Sequence, residues 1–211
     1  TGCDSTTDFT VATDTSATAI DALAIDQTNG VLYGGSSSNG LIFRCAFSTG
    51  CDSATDFTVA TDTADFFIYS LAIDQTNGVL YGGSVSNGFI FRCVLSSGCD
   101  SATDFTVATD TAETGVYSLT VDQTNGVLYG GSGGNGFIFR CVLSTGCDSV
   151  TDFTVATDTT ESTFYSLTVD QTNGVLYGGS NASGYIFRCV LCQGTSTKSS
   201  AINNLTIQTG A

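Results

Sequence analysis

Histidine, tryptophan, methionine and proline are all absent from this 211-residue chain. Without histidine, neither a Ser-His-Asp nor a Cys-His centre can be assembled, and histidine-containing zinc sites are excluded. Basic side chains are almost as scarce. Arg44, Arg92, Arg140, Arg188 and Lys198 stand against 20 acidic groups, for a formal net charge of −15. Nucleic-acid binding needs a band of Lys and Arg along the phosphates, and these five dispersed cations do not form one. No apolar run approaches the roughly 18 residues of a membrane helix and no segment resembles a signal peptide, so membrane insertion is not expected. What is present is 41% hydrophobic residues, enough for a packed core.

The chain repeats itself every 48 residues. Asp26-Gln27-Thr28-Asn29-Gly30-Val31-Leu32-Tyr33-Gly34-Gly35-Ser36 recurs unchanged from Asp74, Asp122 and Asp170. Phe-Arg-Cys recurs at Phe43, Phe91, Phe139 and Phe187, and Asp-Phe-Thr-Val-Ala-Thr-Asp-Thr at Asp8, Asp56, Asp104 and Asp152. Such a period points to a propeller or a solenoid. Each unit carries four strand signals and no helical one. In the second these are Phe57–Thr61, Tyr69–Asp74, Val79–Tyr81 and Phe89–Leu95, with Asn77-Gly78 and Asn87-Gly88 expected as two-residue hairpin turns. Four antiparallel strands per unit make a propeller blade. The expected fold is all-β: a four-bladed propeller over residues 1–192, followed by a tail, residues 193–211.

The segments Ser-Leu-Ala-Ile-Asp-Gln-Thr-Asn-Gly-Val-Leu-Tyr-Gly-Gly-Ser and Gly-Phe-Ile-Phe-Arg resemble the repeats of β-propellers related to the sialidase and sortilin Asp-box group. The likeness spans all four units. The nearest match to the Asp-box itself is Asp100-Ser101-Ala102-Thr103-Asp104-Phe105, with Phe105 in place of Trp and without the glycine. The resemblance implies that Ser-Leu-Ala-Ile-Asp lies innermost in each blade. It implies too that Asp-Phe-Thr-Val-Ala-Thr is the outer strand of the preceding blade. Sialidase activity depends on an arginine cluster, whereas here each blade holds one arginine, so no catalytic residue and no enzyme activity are expected.

Nine cysteines in so acidic a chain point to an oxidising, extracellular setting. Cys45 and Cys51, Cys93 and Cys99, and Cys141 and Cys147 share one spacing and are expected as disulfides across a tight turn. Cys3, Cys189 and Cys192 remain. If the N-terminal strand closes the ring, Cys3 pairs with Cys189; the alternative is a local Cys189–Cys192 bond. Residues 205–210 repeat the outer-strand pattern, so there are five outer strands for four blades. Closure by residues 8–14 leaves the tail surplus, with Leu205 and Ile207 available to complete a blade of another molecule and build a fibre.

Other candidates have structural readings beside the functional ones. Asp26, Asp74, Asp122 and Asp170 would ring one mouth and hold calcium, a weak candidate, if the small residues beside them lined the axis. Otherwise each caps its Gln-Thr-Asn-Gly turn. The arginines are expected to pair with carboxylates between strands. Tyr33, Tyr81, Tyr129 and Tyr177 are expected in the core rather than stacked on sugars. The Gly-Cys-Asp-Ser-x-Thr-Asp loops read as hydrogen-bonded turns. Copies differ most at 16–20, 64–68, 112–116 and 160–164. Asn181 and Asn204 begin glycosylation sequons. No cofactor is expected. The function expected is that of a secreted, non-catalytic structural or surface protein that assembles with itself, with strand donation into fibres as one form. The alternative is a multivalent, lectin-like propeller that binds glycans.

Overall fold

Alternating β-branched and small residues, interrupted every few positions by turn sequences, leave the chain no helical option, and strands are what it forms. A computed structural model describes residues 17–62, 67–110, 115–158, 161–181, 183–191 and 206–208. Four antiparallel sheets of four strands follow one another, each in simple sequential order. The first contains β1 (Ile20–Asp26), β2 (Val31–Ser36), β3 (Leu41–Ala46) and β4 (Thr58–Asp62). The second contains β5 (Ile68–Asp74), β6 (Val79–Ser84), β7 (Phe89–Val94) and β8 (Phe105–Asp110). The third runs through β9 (Val116–Asp122), β10 (Val127–Ser132), β11 (Phe137–Val142) and β12 (Phe153–Asp158). The fourth contains β13 (Phe164–Asp170), β14 (Val175–Ser180), β15 (Ile186–Val190) and β16 (Thr206–Gln208). The protein is a four-bladed β-propeller, as the 48-residue period implies.

The turns depart from expectation. Asp74 pairs with Val79, so the Asn-Gly loop has four residues, not two. A two-residue turn of this kind needs positive φ at both central positions, and here Gly78 adopts it (φ 65°) while Asn77 does not. The Asp74 carboxylate spans the longer loop instead. Its Oδ1 accepts from Thr76 N at 3.0 Å and Asn77 N at 3.1 Å, and its Oδ2 from Asn77 Nδ2 at 2.6 Å.

Blades pack face to face through a recurring apolar layer. Between the first two it joins Ala22, Val31, Tyr33, Ile42 and Ala60 to Ile68, Leu71, Leu80, Phe91 and Cys93. The equivalent residues build the next two layers. Gly-Gly in each second strand permits the approach. A Cβ added at Gly35 would stand 2.6 Å from Ile68 Cγ2, and one at Gly131 would stand 2.7 Å from Phe164 Cβ.

The tail does not stand free. In β16, Thr206, Ile207 and Gln208 pair with Arg188, Phe187 and Ile186, which fills the outer position of the fourth blade. The expectation that residues 8–14 fill it, leaving Leu205 and Ile207 to reach another molecule, is therefore corrected for Ile207; Leu205 lies outside the described residues. The physical reason is connection length. Only fifteen residues lie between Val190 and Thr206 in the sequence, so bringing β16 beside β15 costs little loop-closure entropy.

Candidate binding surfaces

Polar side chains stitch successive blades together in one direction. Gln75 Nε2 donates to Ile25 O at 3.0 Å, Gln123 Nε2 to Ile73 O at 2.8 Å, and Gln171 Nε2 to Val121 O at 2.8 Å. The threonine of the preceding blade completes the link: Thr28 Oγ1 donates to Gln75 Oε1 at 3.1 Å, and Thr76 Oγ1 to Gln123 Oε1 at 3.2 Å. Ser70 Oγ accepts from Leu119 N at 2.6 Å, and Ser118 Oγ from Leu167 N at 2.8 Å. The serines of the small-residue face therefore meet the following blade, while Ala24, Ala72 and Thr120 of the same face line a cleft between the inner strands.

Each candidate aspartate caps its own turn. Asp26, Asp122 and Asp170 repeat the three bonds described for Asp74. Among the described residues no cluster of three or more metal-ligating side chains forms. At Asp170 the Asn173 amide, helped by the Asn173 and Thr172 N–H groups, holds the carboxyl below its ordinary pKa. Among the described residues, Arg44 and Arg92 meet a tyrosine rather than a carboxylate. Arg44 lies opposite Tyr33 in the β2–β3 ladder and donates to its phenol oxygen, while the buried Arg44 Nε has no hydrogen-bond partner. Arg92 stands in the same relation to Tyr81. A phenol on the neighbouring strand is already in register with the guanidinium. Tyr33, Tyr81 and Tyr129 are core residues, and burial raises their phenol pKa values, that of Tyr129 to about 12; Tyr177, expected with them, is only partly buried because, among the described residues, no further blade covers the fourth.

Disulfides join Cys45 to Cys51, Cys93 to Cys99 and Cys141 to Cys147, with Cα atoms 5.8–5.9 Å apart. Such bonds persist in oxidising compartments. Each loop passes through a single 3-10 turn and then two successive positive-φ residues, as at Gly98 (99°) and Cys99 (47°). The following Ser-x-x-Asp forms a capping box: Thr103 N donates to Ser101 Oγ and Ser101 N to Asp104 Oδ2. This is the hydrogen-bonded turn expected of the loop. Cys189 is buried; its candidate partners Cys3 and Cys192 lie outside the described residues, as does Asn204. Asn181 is exposed. The variable segments at 16–20, 64–68, 112–116 and 160–164 are described only in part.

Two features escaped the sequence reading. Phe67, Tyr69, Tyr117 and Tyr165 form an edge-to-face ladder across three blades, with ring centroids 6.5, 5.5 and 5.0 Å apart. Nothing in a single repeat signals it, because Asp21 stands at the corresponding place in the first. The second is the exposure of the two outermost blade faces. Inner strands pack in series, β1 on β5, β5 on β9 and β9 on β13, and among the described residues β1 and β13 make no comparable contact. Leu23 is 66% exposed, against 8%, 6% and 7% for its repeat equivalents Leu71, Leu119 and Leu167. Ile186 is 64% exposed, against 0%, 0% and 3% for Ile42, Ile90 and Ile138.

No family model and no curated protein sequence matches the chain. Solved structures do share its fold. The nidogen/laminin complex structure matches with a TM-score of 0.67 at 16% identity, covering 81% of this chain and 60% of that one. An auxiliary nutrient binding protein from Bacteroides thetaiotaomicron matches with 0.64 at 14% identity, over 84% and 39% of the two chains. The WD40 repeats of RRP9 match with 0.60 at 11% identity, over 85% and 50%. The chain thus spans 39–60% of the length of these structures.

Proposed function

We propose that this propeller is a non-catalytic, extracellular structural protein that assembles with copies of itself. One observation carries the reading: apolar residues that are buried wherever two blades meet lie open on the outer faces of the first and fourth blades. An exposed apolar surface of this kind marks an interaction site. The lack of histidine, the engagement of Asp26, Asp74, Asp122 and Asp170 in turns, and the burial of Tyr33, Tyr81 and Tyr129 leave no reactive constellation for catalysis among the described residues. The three disulfides support secretion. The nidogen/laminin complex and the nutrient binding protein support a binding role for propellers of this shape. The Asp-Ser-x-Thr-Asp-Phe segment between the third and fourth strands supports kinship with the Asp-box group. Light scattering after size exclusion, over a range of concentrations, tests the assembly reading. A mass that rises with concentration is expected, and a strictly monomeric protein overturns it.

A second reading rests on the tyrosine ladder. Tyr165 is half exposed at its end, and partly open aromatic rings on several blades form a surface on which sugars stack. A glycan array compared between the protein and Tyr165→Ala checks it.

A further inference from the structure

The two open faces are the two halves of one interface that the chain builds three times internally. At each internal junction the first inner-strand residue of a blade covers the second glycine of the preceding blade: Ile68 over Gly35, Val116 over Gly83, Phe164 over Gly131. The next glycine in this series is Gly179, and among the described residues a Cβ there would meet only Ser166 of its own blade, at 4.0 Å. The next covering residue in the cycle is Ile20, exposed where its three equivalents are fully buried. The same holds for the rest of the contact set. A Cβ on Gly82 would touch Leu71 and Ile42; the counterparts of these two side chains, Leu23 on the first blade and Ile186 on the fourth, are both exposed. Ser166, whose equivalents Ser70 and Ser118 accept a leucine N–H from the following blade, is exposed, and so is Gln27.

We propose that the first-blade face of one molecule seats on the fourth-blade face of a second copy in the register of the internal junctions. Ile20 then covers Gly179, Ile186 packs on Leu23, Gln27 Nε2 donates to Val169 O, and Leu23 N donates to Ser166 Oγ. The inference rests on the self-assembly reading above and names its contact. The occupant is a second copy because every group the open fourth blade lacks is present, in the right order, on the open first blade. The contact is head-to-tail, so it closes into a ring if the blade rotation adds up and runs into a filament if it does not. Two chains supply eight blades, within the size range of closed propellers.

The test uses complementary variants of the full chain. Leu23→Asp spoils the first-blade face and Gly179→Val the fourth; both positions are open in the single molecule, so circular dichroism and melting are expected to match the parent. Each variant alone is expected to sediment as a monomer where the parent assembles, with affinity reduced at least tenfold. Mixed, they retain one intact face each and are expected to form a one-to-one pair and nothing larger. An Ile20→Cys/Gly179→Cys protein is expected to cross-link between chains on mild oxidation. A parent that assembles while both variants assemble equally well overturns this register and leaves self-assembly standing. A parent that stays monomeric overturns both. A cross-link found only within one chain shows that the two faces close on each other and overturns the intermolecular contact.

Discussion

Val116 sits over Gly83 across the junction of the second and third blades, so close that a Cβ on the glycine would stand 2.6 Å from Val116 Cγ1 and 3.1 Å from Val116 O. Neither is the free end of a flexible side chain, so the neighbouring blade must move to make room. Gly83→Ala is expected to destabilise by about 1–3 kcal/mol, the usual cost of overpacking. Gly179→Ala meets open space and is expected to be neutral, or to stabilise by up to about 1 kcal/mol through a stiffer unfolded chain. Urea unfolding of dilute protein compares the two.

The glutamine links give a second internal control. Gln123→Ala removes a donor to Ile73 O and an acceptor for Thr76, and is expected to cost about 1–2 kcal/mol. Gln27 is the same residue in the same repeat position but exposed, and Gln27→Ala is expected to leave the melting of dilute protein unchanged.

Acid sensitivity follows from Asp170. Its folded pKa is lowered, first by the Asn173 side chain, so its contribution to stability is present above the unfolded carboxyl value of about 3.9 and is lost as pH falls through the folded value. The stability difference between the protein and Asp170→Asn is expected to be largest near neutrality and to shrink in acid. Denaturant titrations over that range measure it.

Alkali acts through Tyr129. Burial raises its pKa to about 12, so its contribution is intact below about pH 10 and declines as pH rises through the folded value. Ultraviolet titration is expected to show a late-ionising phenolate that Tyr129→Phe removes, with a shallower alkaline loss of stability in the variant.

The disulfides hold a strained corner. Replacing Cys93 and Cys99 together by Ser opens a short loop and is expected to cost about 2 kcal/mol, measured by thermal unfolding. Cys99 is held at positive φ, so the unlinked loop is expected to exchange its amides faster.

Much of this fold is legible because each repeat states it four times. The period gives the blade, and alternation in Tyr69–Asp74 marks a strand, though not that both its faces are buried. The spacing of Cys93 and Cys99 marks the loop they close. The errors come from geometry that composition does not encode. Asn77-Gly78 looks like a two-residue turn, yet the Asp74 carboxylate offers three acceptor contacts to a longer one, and those bonds win. The tail pattern around Ile207 is readable, but which strand takes the β15 edge depends on connection length. The open blade faces are invisible to a repeat-by-repeat reading, because Leu23 and Leu71 look identical in sequence and differ only in what lies next to them.

The fourth strand of each of the first three blades is encoded at the head of the following repeat, so the 48-residue sequence unit and the four-stranded sheet are out of phase by one strand. A recombination event that inserts or excises one whole copy therefore cuts no sheet: the new unit lends its leading strand backward and borrows one from its successor. A change in copy number by one whole repeat leaves every internal blade with its four strands and alters only the two ends of the array. Array length is thus a freely heritable variable in this architecture, adjustable in steps of one blade without any point substitution.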